Sequence, residues 1–149
     1  MRRMLLCLVA MVGLFIAAYL TLYHYGVIGA LSCSIGSCER VQTSRWSMFL
    51  GLPVAAWGLG FYLLLIALAF AFMQPRFAED RRLALALVIL TGWGVVFSCY
   101  LTYLEDRVIH AWCEWCVSSA ILVTIAFLLA IAEWRSLRAL PLPGGVSEA

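Results

Sequence analysis

The sequence has very little charge for its length. Of its 149 residues, 12% are charged and 65% are apolar, and the mean hydropathy is +1.00. A soluble domain carries about 25% charged residues and about 45–50% apolar ones. The composition therefore excludes an ordinary soluble domain and indicates a membrane protein.

Lysine is absent as well, because all ten basic residues are arginine. The net charge is only +2, and the arginines form no cluster of the kind that binds nucleic acid. The sequence also lacks a phosphate-binding loop, a nucleotide fingerprint, a Ser-His-Asp arrangement and paired catalytic carboxylates. These absences leave the six cysteines as the residues of chemical interest.

Long apolar runs fill most of the chain, over residues 4–23, 52–73, 83–104 and 112–132. A helix of about 20 residues, rising 1.5 Å per residue, spans the hydrocarbon layer of about 30 Å. We predict an all-α integral membrane protein, a four-transmembrane-helix bundle over residues 1–134, followed by a cytoplasmic tail over residues 135–149. The first run also has features of a secretory signal peptide, but it is long for one and no clear cleavage site follows. We predict a retained first helix.

The arginines predict the orientation of the bundle. Seven of them lie near the termini or in the turn between the second and third runs, against three in the other two connections. Positive residues favour the cytoplasmic side, so we predict that both termini are cytoplasmic and that residues 24–50 and 105–111 face outward. Those two connections share one side in either orientation. The Pro- and Gly-containing end of the tail, residues 141–145, is predicted to be disordered.

Four cysteines form two close pairs in the two outward connections. Cys113 and Cys116 make a C-x-x-C at the start of the last run, where the helix dipole and unpaired amides favour the reactive thiolate. Cys33 and Cys38 lie in a Gly- and Ser-rich loop, where a disulfide between them would stabilise the fold by about 2 kcal/mol. We interpret the pairs as an electron relay by thiol–disulfide exchange. The alternative is a non-enzymatic membrane scaffold in which the four thiolates hold a structural zinc ion.

The sequence also predicts the environment of several other residues. Cys7 and Cys99 are predicted to pack in the core as small apolar side chains. A short interfacial helix is predicted over residues 39–46, and His110 is a candidate for tuning Cys113. Three acidic residues are predicted to be solvated loop charges: Glu105, Asp106 and Glu114.

The arrangement resembles the vitamin K epoxide reductase (VKOR) family in its short bacterial form. The resemblance covers residues 4–132. It rests on Cys33, on Cys38-Glu-Arg-Val-Gln-Thr-Ser-Arg-Trp46, on Gly51-Leu-Pro53 and on Cys113-Glu-Trp-Cys116. The family fold is a four-helix bundle that holds a quinone near the C-x-x-C, so the resemblance implies the same fold here.

The resemblance also implies a role for each site residue. Cys33 would meet an external partner, and Cys38 would exchange with Cys113. Cys116 would face the quinone. Ser44 matches a family Ser/Thr that helps to organise the site.

The implied cofactor is a quinone, either ubiquinone or menaquinone, with Cys116, Trp115 and Ala120 in its vicinity. Ala120 stands where the vertebrate enzymes have a quinone-recognising Tyr, so vitamin K epoxide reduction is not implied. Many bacterial members carry a fused thioredoxin-like domain, which does not fit after residue 132. The expected partner is therefore a separate DsbA-like protein.

Together these features imply a quinone-dependent thiol oxidoreductase of the bacterial inner membrane. It would reoxidise its DsbA-like partner on the periplasmic side and so support disulfide formation in exported proteins.

Overall fold

Four long helices dominate the structure, a computed structural model that describes residues 1–140. The elements in chain order are α1 (Arg2–His24), α2 (Cys38–Gln42), a 3₁₀ turn (Arg45–Ser47), β1 (Met48–Phe49), β2 (Leu52–Pro53), α3 (Val54–Met73), α4 (Arg81–Leu104), a π-helical turn (Glu105–Ile109) and α5 (Glu114–Arg138). The helices α1, α3, α4 and α5 are long and apolar enough to cross a membrane. The predicted four-helix membrane bundle is confirmed. The disorder predicted for residues 141–145 falls outside the described residues.

The boundaries of α5 and α3 differ from the predicted ones. The last span was expected to end at residue 132, where the apolar run ends, but α5 continues to Arg138. It continues because Glu133 is buried and paired with arginines of α1, so the first charge does not mark the end of the helix. The second span begins at Val54 and not at residue 52, because Leu52–Pro53 pairs with Met48–Phe49 in a short antiparallel hairpin.

The two outward connections are also more structured than expected. The interfacial helix predicted over residues 39–46 is divided into α2 and the 3₁₀ turn. The connection at residues 105–111 is largely helical. Its first five residues extend α4 as a π-helical turn, and His110 then adopts a left-handed conformation with φ 52°.

The main core lies among the four long helices. Leu65, Phe72 and Leu87 are its largest fully buried apolar side chains. α1 lies along α3 and α5, and α4 packs against α5. Gly13 allows α1 to approach α3, since a Cβ at this position would overlap the ring of Tyr62. α1 is thus an integral part of the core, and its retention stays a prediction.

The two isolated cysteines have different surroundings. Cys7 packs against the core, and its sulfur lies 3.5 Å from that of Met73. The prediction is confirmed for Cys7 and wrong for Cys99, which is exposed on α4. A continuous apolar run does not reveal which helix face meets lipid, because lipid and protein interior are both apolar.

Both cysteine-bearing connections lie at one end of the bundle. Gly36 of the first connection pairs with Cys113 of the second through an antiparallel backbone bridge. At the other end, Arg3 donates to the carboxylate of Glu133 and to the backbone carbonyl of Ala78. The prediction that the two pairs share one side is confirmed, and the side of the membrane that they face stays a prediction.

Candidate redox site

A loop closed by a disulfide forms the outer part of the site. Residues 31–38, here called the disulfide loop, contain the Cys33–Cys38 disulfide, with a Cα–Cα distance of 6.1 Å. Cys33 is half-buried, whereas Cys38 is only 1% exposed and packs in one apolar cluster with Cys113. Cys33 is therefore the more exposed cysteine of the pair, and Cys38 is the one buried beside Cys113. The roles that the VKOR resemblance implied for the two cysteines stay predictions.

Backbone pairing joins the disulfide loop to the start of α5. Beside the bridge between Gly36 and Cys113, the amide of Ser37 donates to the carbonyl oxygen of Trp112 at 2.8 Å. Gly36 has φ +96°, and a Cβ there would overlap the same carbonyl oxygen. Both the conformation and the close approach require glycine.

Two side chains of the C-x-x-C segment also hold the disulfide loop. The carboxylate of Glu114 accepts hydrogen bonds from the amides of Ser34 and Ile35, at 2.9 and 3.1 Å. The indole of Trp115 donates to the carbonyl of Ser32 at 2.8 Å. The prediction that Glu114 is a solvated charge is wrong, because its carboxylate binds two backbone amides of the disulfide loop.

The helix start activates Cys113. This residue is the N-cap of α5 and is fully buried. The hydrogen bond from the Cys116 thiol is the largest cause that lowers the pKa of Cys113, and the amides of Cys116 and Trp115 add to it. These donors outweigh burial and the negative charge of Glu105, both of which raise the pKa. The predicted preference for a thiolate at Cys113 is therefore supported.

The acidic group closest to the C-x-x-C is Glu105, in the π-helical turn. It is only 3% exposed, accepts the amide of Cys113 at 3.1 Å and lines the same cavity as Cys116. The prediction that Glu105 is solvated is wrong, whereas Asp106 is exposed and paired with Arg107 as expected. The sequence carried a signal for Glu105, which directly follows an apolar span. Ionisable residues at membrane depth are rare and usually functional.

The structure gives no support to the prediction that His110 tunes Cys113, and other groups shift the pKa of this thiol. His110 is exposed. The side chains that shift the pKa of Cys113 are the thiol of Cys116 and the carboxyl group of Glu105.

A largely apolar cavity of about 600 Å³ lies beside Cys116. Its wall includes the aromatic side chains of Trp57, Trp93 and Phe97. It also includes a few polar side chains, among them Gln42, Ser44 and Glu105. The amide of Gln42, which sequence reasoning missed, donates to the sulfur of Cys116 at 3.5 Å.

The cavity fits the chemistry of a quinone. A quinone has an apolar ring with two polar oxygens, and sites for such ligands are mostly apolar with a few polar groups. Trp57 of α3 is 43% exposed and Trp93 of α4 is 66% exposed, so the wall reaches the lipid-facing surface of the bundle. A ligand dissolved in the membrane can therefore reach the cavity from the side.

The predicted site residues divide into two groups around this cavity. Cys116 and Ser44 line it, as the resemblance implied. Trp115 and Ala120 were expected near the quinone, but neither belongs to the described lining. Trp115 instead lies under the disulfide loop, with its ring 5.2 Å from that of Tyr19 in an edge-to-face contact.

The four-cysteine zinc site gains no support from this arrangement. Cys33 and Cys38 are joined to each other, so two of the four expected ligands are not thiolates. Within residues 1–140, the group of three or more His, Cys, Asp or Glu side chains whose potential ligand atoms all lie within 4.8 Å of one another consists of Cys33, Cys38 and Glu114. Neither cysteine of the C-x-x-C belongs to that group.

A comparison with known protein families agrees with this geometry. The model of the vitamin K epoxide reductase family matches residues 4–131 of the chain. The match includes both cysteine pairs and reaches into all four long helices.

Proposed function

The chain belongs to the vitamin K epoxide reductase family, and on this premise we propose that it is a quinone-dependent thiol–disulfide oxidoreductase. In this reaction, the Cys33–Cys38 disulfide oxidises the dithiol of a DsbA-like, thioredoxin-fold partner. Cys113 and Cys116 take up the electrons, and a quinone, ubiquinone or menaquinone, accepts them. The single observation that carries the proposal is the bridge between Gly36 and Cys113, which binds the disulfide loop to the C-x-x-C beside an apolar cavity.

The burial of the two loop cysteines supports one order of exchange. A partner thiolate attacks the more exposed Cys33, forms a mixed disulfide with it and releases Cys38 as a thiolate. The second partner thiol then attacks this mixed disulfide, which releases Cys33 as a thiol and leaves the partner with its own disulfide. The thiolate of Cys38 attacks Cys113 of an oxidised C-x-x-C and releases Cys116. Attack of Cys33 on Cys38 then restores the loop disulfide and releases Cys113. In the structure, the loop disulfide is closed and Cys113 and Cys116 are free thiols. This state corresponds to the stage after the release of Cys113, before the electrons pass to the quinone.

The chain's own residues prepare the cavity for an electron acceptor. A bound quinone would supply a two-electron, two-proton acceptor that diffuses within the membrane. Gln42 donates to the sulfur of Cys116 at the cavity wall. The hydroxyl of Ser44 donates to the carbonyl of Val41 at 2.8 Å and holds the turn that follows α2. Aromatic side chains of α3 and α4 would contact the ring.

We place the protein in the bacterial inner membrane with the redox site on the periplasmic side, where it supports disulfide formation in exported proteins. The excess of arginine at the opposite end supports this orientation. Labelling of intact cells with a membrane-impermeant maleimide tests it in a background without Cys7 and Cys99. Val27→Cys, near the disulfide loop, should be labelled, and Glu79→Cys, in the turn between α3 and α4, should be protected. The reverse pattern would contradict the proposed orientation.

The central experiment follows oxidation of a reduced DsbA-like protein by the purified chain in detergent, with and without added quinone. Each of the four paired cysteines is replaced by Ala in turn. We expect quinone-dependent turnover that is abolished without Cys113 or Cys116 and strongly reduced without Cys33 or Cys38. Full activity without the loop cysteines would mean that the partner reaches Cys113 directly. Stoichiometric zinc without turnover would support the scaffold alternative instead.

A further inference from the structure

The thiol of Cys116 has two possible proton acceptors. The sulfur of Cys113 and the carboxyl group of Glu105 both lie beside it. The amide of Gln42 donates to its sulfur from another side. The proton of the thiol therefore has acceptors close by, and the amide of Gln42 would stabilise the sulfur once that proton has left.

Glu105 also lines the cavity that the proposed function assigns to the quinone. Among the described residues in the wall of that cavity, Glu105 has the only carboxyl group, and none is Lys, Arg, His or Asp. The residue is buried, so its carboxyl group has little contact with water. A proton that leaves Cys116 on the cavity side therefore has one nearby carboxyl group to accept it.

Backbone and side-chain contacts hold Glu105 in this position. Its carbonyl oxygen accepts the amide of Ala111 at 3.1 Å, and its Oε2 accepts the amide of Cys113 at 3.1 Å. The π-helical turn therefore places one carboxyl group between the C-x-x-C and the cavity. General acid–base catalysis requires a group within hydrogen-bonding distance of the proton that it moves.

We propose that Glu105 is a catalytic acid–base residue that accepts the proton of the Cys116 thiol and delivers it to a quinone oxygen. This inference rests on the proposed function. It assigns a route to one of the two protons that must travel with the two electrons.

The chemical balance is as follows. When Cys113 and Cys116 form their disulfide, the two S–H groups lose two protons and two electrons, and a quinone gains both pairs to become hydroquinone. Glu105 carries the proton of Cys116 and returns to its carboxylate form when it delivers that proton. The proton of Cys113 leaves to water on the loop side, and the hydroquinone takes its second proton from water.

The first test uses quinone-free protein with Glu105→Gln and, as a matched control, Asp106→Asn. Asp106 is the exposed acidic neighbour in the same turn. Gln keeps an oxygen that can accept the amide of Cys113 but cannot take a proton from the thiol. The reduced C-x-x-C is oxidised with a small disulfide, and infrared difference spectra and an indicator dye follow the protons.

Wild type and Asp106→Asn should gain a protonated-carboxyl band on oxidation and release one proton fewer than Glu105→Gln. Disulfide formation removes the thiol that donates to Glu105, so the buried carboxylate then retains the proton of Cys116. Equal proton release from all three proteins, without a carboxyl band, would overturn the proposal.

The second test separates proton transfer from positioning. In quinone-free protein, Glu105→Gln should slow the initial burst of partner oxidation far less than it slows hydroquinone formation. With quinone present, hydroquinone formation should be slower by a factor of about 10²–10⁴, the usual contribution of general acid–base catalysis. Glu105→Asp should restore part of that rate, which also shows that a change at this position leaves the protein folded.

The outcomes distinguish the inference from the proposed function. If wild type itself reduces no quinone, the proposed function fails without reference to any variant. If wild type turns over and Glu105→Gln does so equally fast, the proton-transfer role is wrong. A variant that slows the burst and hydroquinone formation to the same extent would also overturn it, since Glu105 would then only position Cys113.

Discussion

The backbone of Gly36 pairs with that of Cys113, so the disulfide loop is bonded to the residue that opens α5. The two residues lie far apart in the sequence and belong to different membrane connections. Their pairing places the inner sulfur of the loop, Cys38, in the same apolar cluster as Cys113. We expect the proposed exchange between the two cysteine pairs to depend on this contact.

Replacement of Gly36 by Ala should separate the loop from α5. The positive φ and the overlap of a Cβ with the carbonyl of Trp112 both oppose the bridge, and strain of this kind costs about 1–3 kcal/mol. We expect oxidation of the thioredoxin-fold partner to fall by about 5–150-fold, because 1.4 kcal/mol corresponds to a factor of about ten. Oxidation of a small dithiol that reaches Cys113 directly should persist. Gly29→Ala is the control, since Gly29 has open space around it, and equal activity of the two variants would contradict the role of the bridge.

Glu114→Gln should loosen the disulfide loop without unfolding the bundle. The carboxylate accepts two amides, whereas a neutral Gln oxygen accepts them more weakly. Hydrogen bonds to charged groups contribute about 1.5–3 kcal/mol, so hydrogen exchange at the amides of Ser34 and Ile35 should accelerate by about 10–100-fold. The effect is measured by mass spectrometry, with Glu79→Gln at the opposite end as the control. Unchanged exchange would show that Glu114 does not hold the loop.

The pH dependence of Cys113 should change when its main hydrogen-bond donor is removed. A lowered pKa means that the Cys113 thiolate persists to lower pH than an ordinary thiol does, and the Cys116 thiol is the largest cause. Cys116→Ala should therefore move the midpoint of Cys113 alkylation to higher pH and slow alkylation at neutral pH. Mass spectrometry of the Cys113 peptide across a pH series measures this, and Cys99→Ala serves as the control. A midpoint that stays in place would mean that another group activates Cys113.

Gly60→Leu should block the cavity from the side of α3. Gly60 lines the cavity, and a Cβ there would have no heavy atom within 4 Å, so the larger side chain would occupy open space. We expect quinone-dependent turnover to fall about tenfold or more, as in other apolar pockets whose volume changes. The quinone-free burst of partner oxidation should be unaffected. Gly60→Ala adds little volume and provides the graded control; if Leu and Ala variants have wild-type turnover, the quinone binds elsewhere.

The opposite end of the bundle should lose stability with Glu133→Ala. Glu133 is 9% exposed and pairs with both Arg2 and Arg3, so its removal leaves two guanidinium groups without their carboxylate. Loss of charged hydrogen bonds costs about 1.5–3 kcal/mol, which should lower the melting temperature in detergent. Glu79→Ala, an exposed change in the nearby turn, should leave the melting temperature unaltered. If the two variants have the same melting temperature, α1 is held to α5 by apolar packing alone.

The sequence by itself determined the membrane class, the four spans and the shared side of the two cysteine pairs. These follow from composition, from the length of apolar runs and from the parity of crossings, none of which depends on packing. The reactive character of Cys113 also followed from local sequence, since a thiol at a helix start meets unpaired amides wherever the helix lies.

Only the tertiary structure decided which polar residues serve the site. Glu105 and Glu114 look like loop charges in the sequence, but one is buried against Cys116 and the other binds the amides of the disulfide loop. Cys99 and Cys7 lie in similar apolar runs, yet one is exposed and the other packs in the core. Burial and hydrogen bonding of these side chains arise between segments distant in the chain, so local pattern alone could not reveal them.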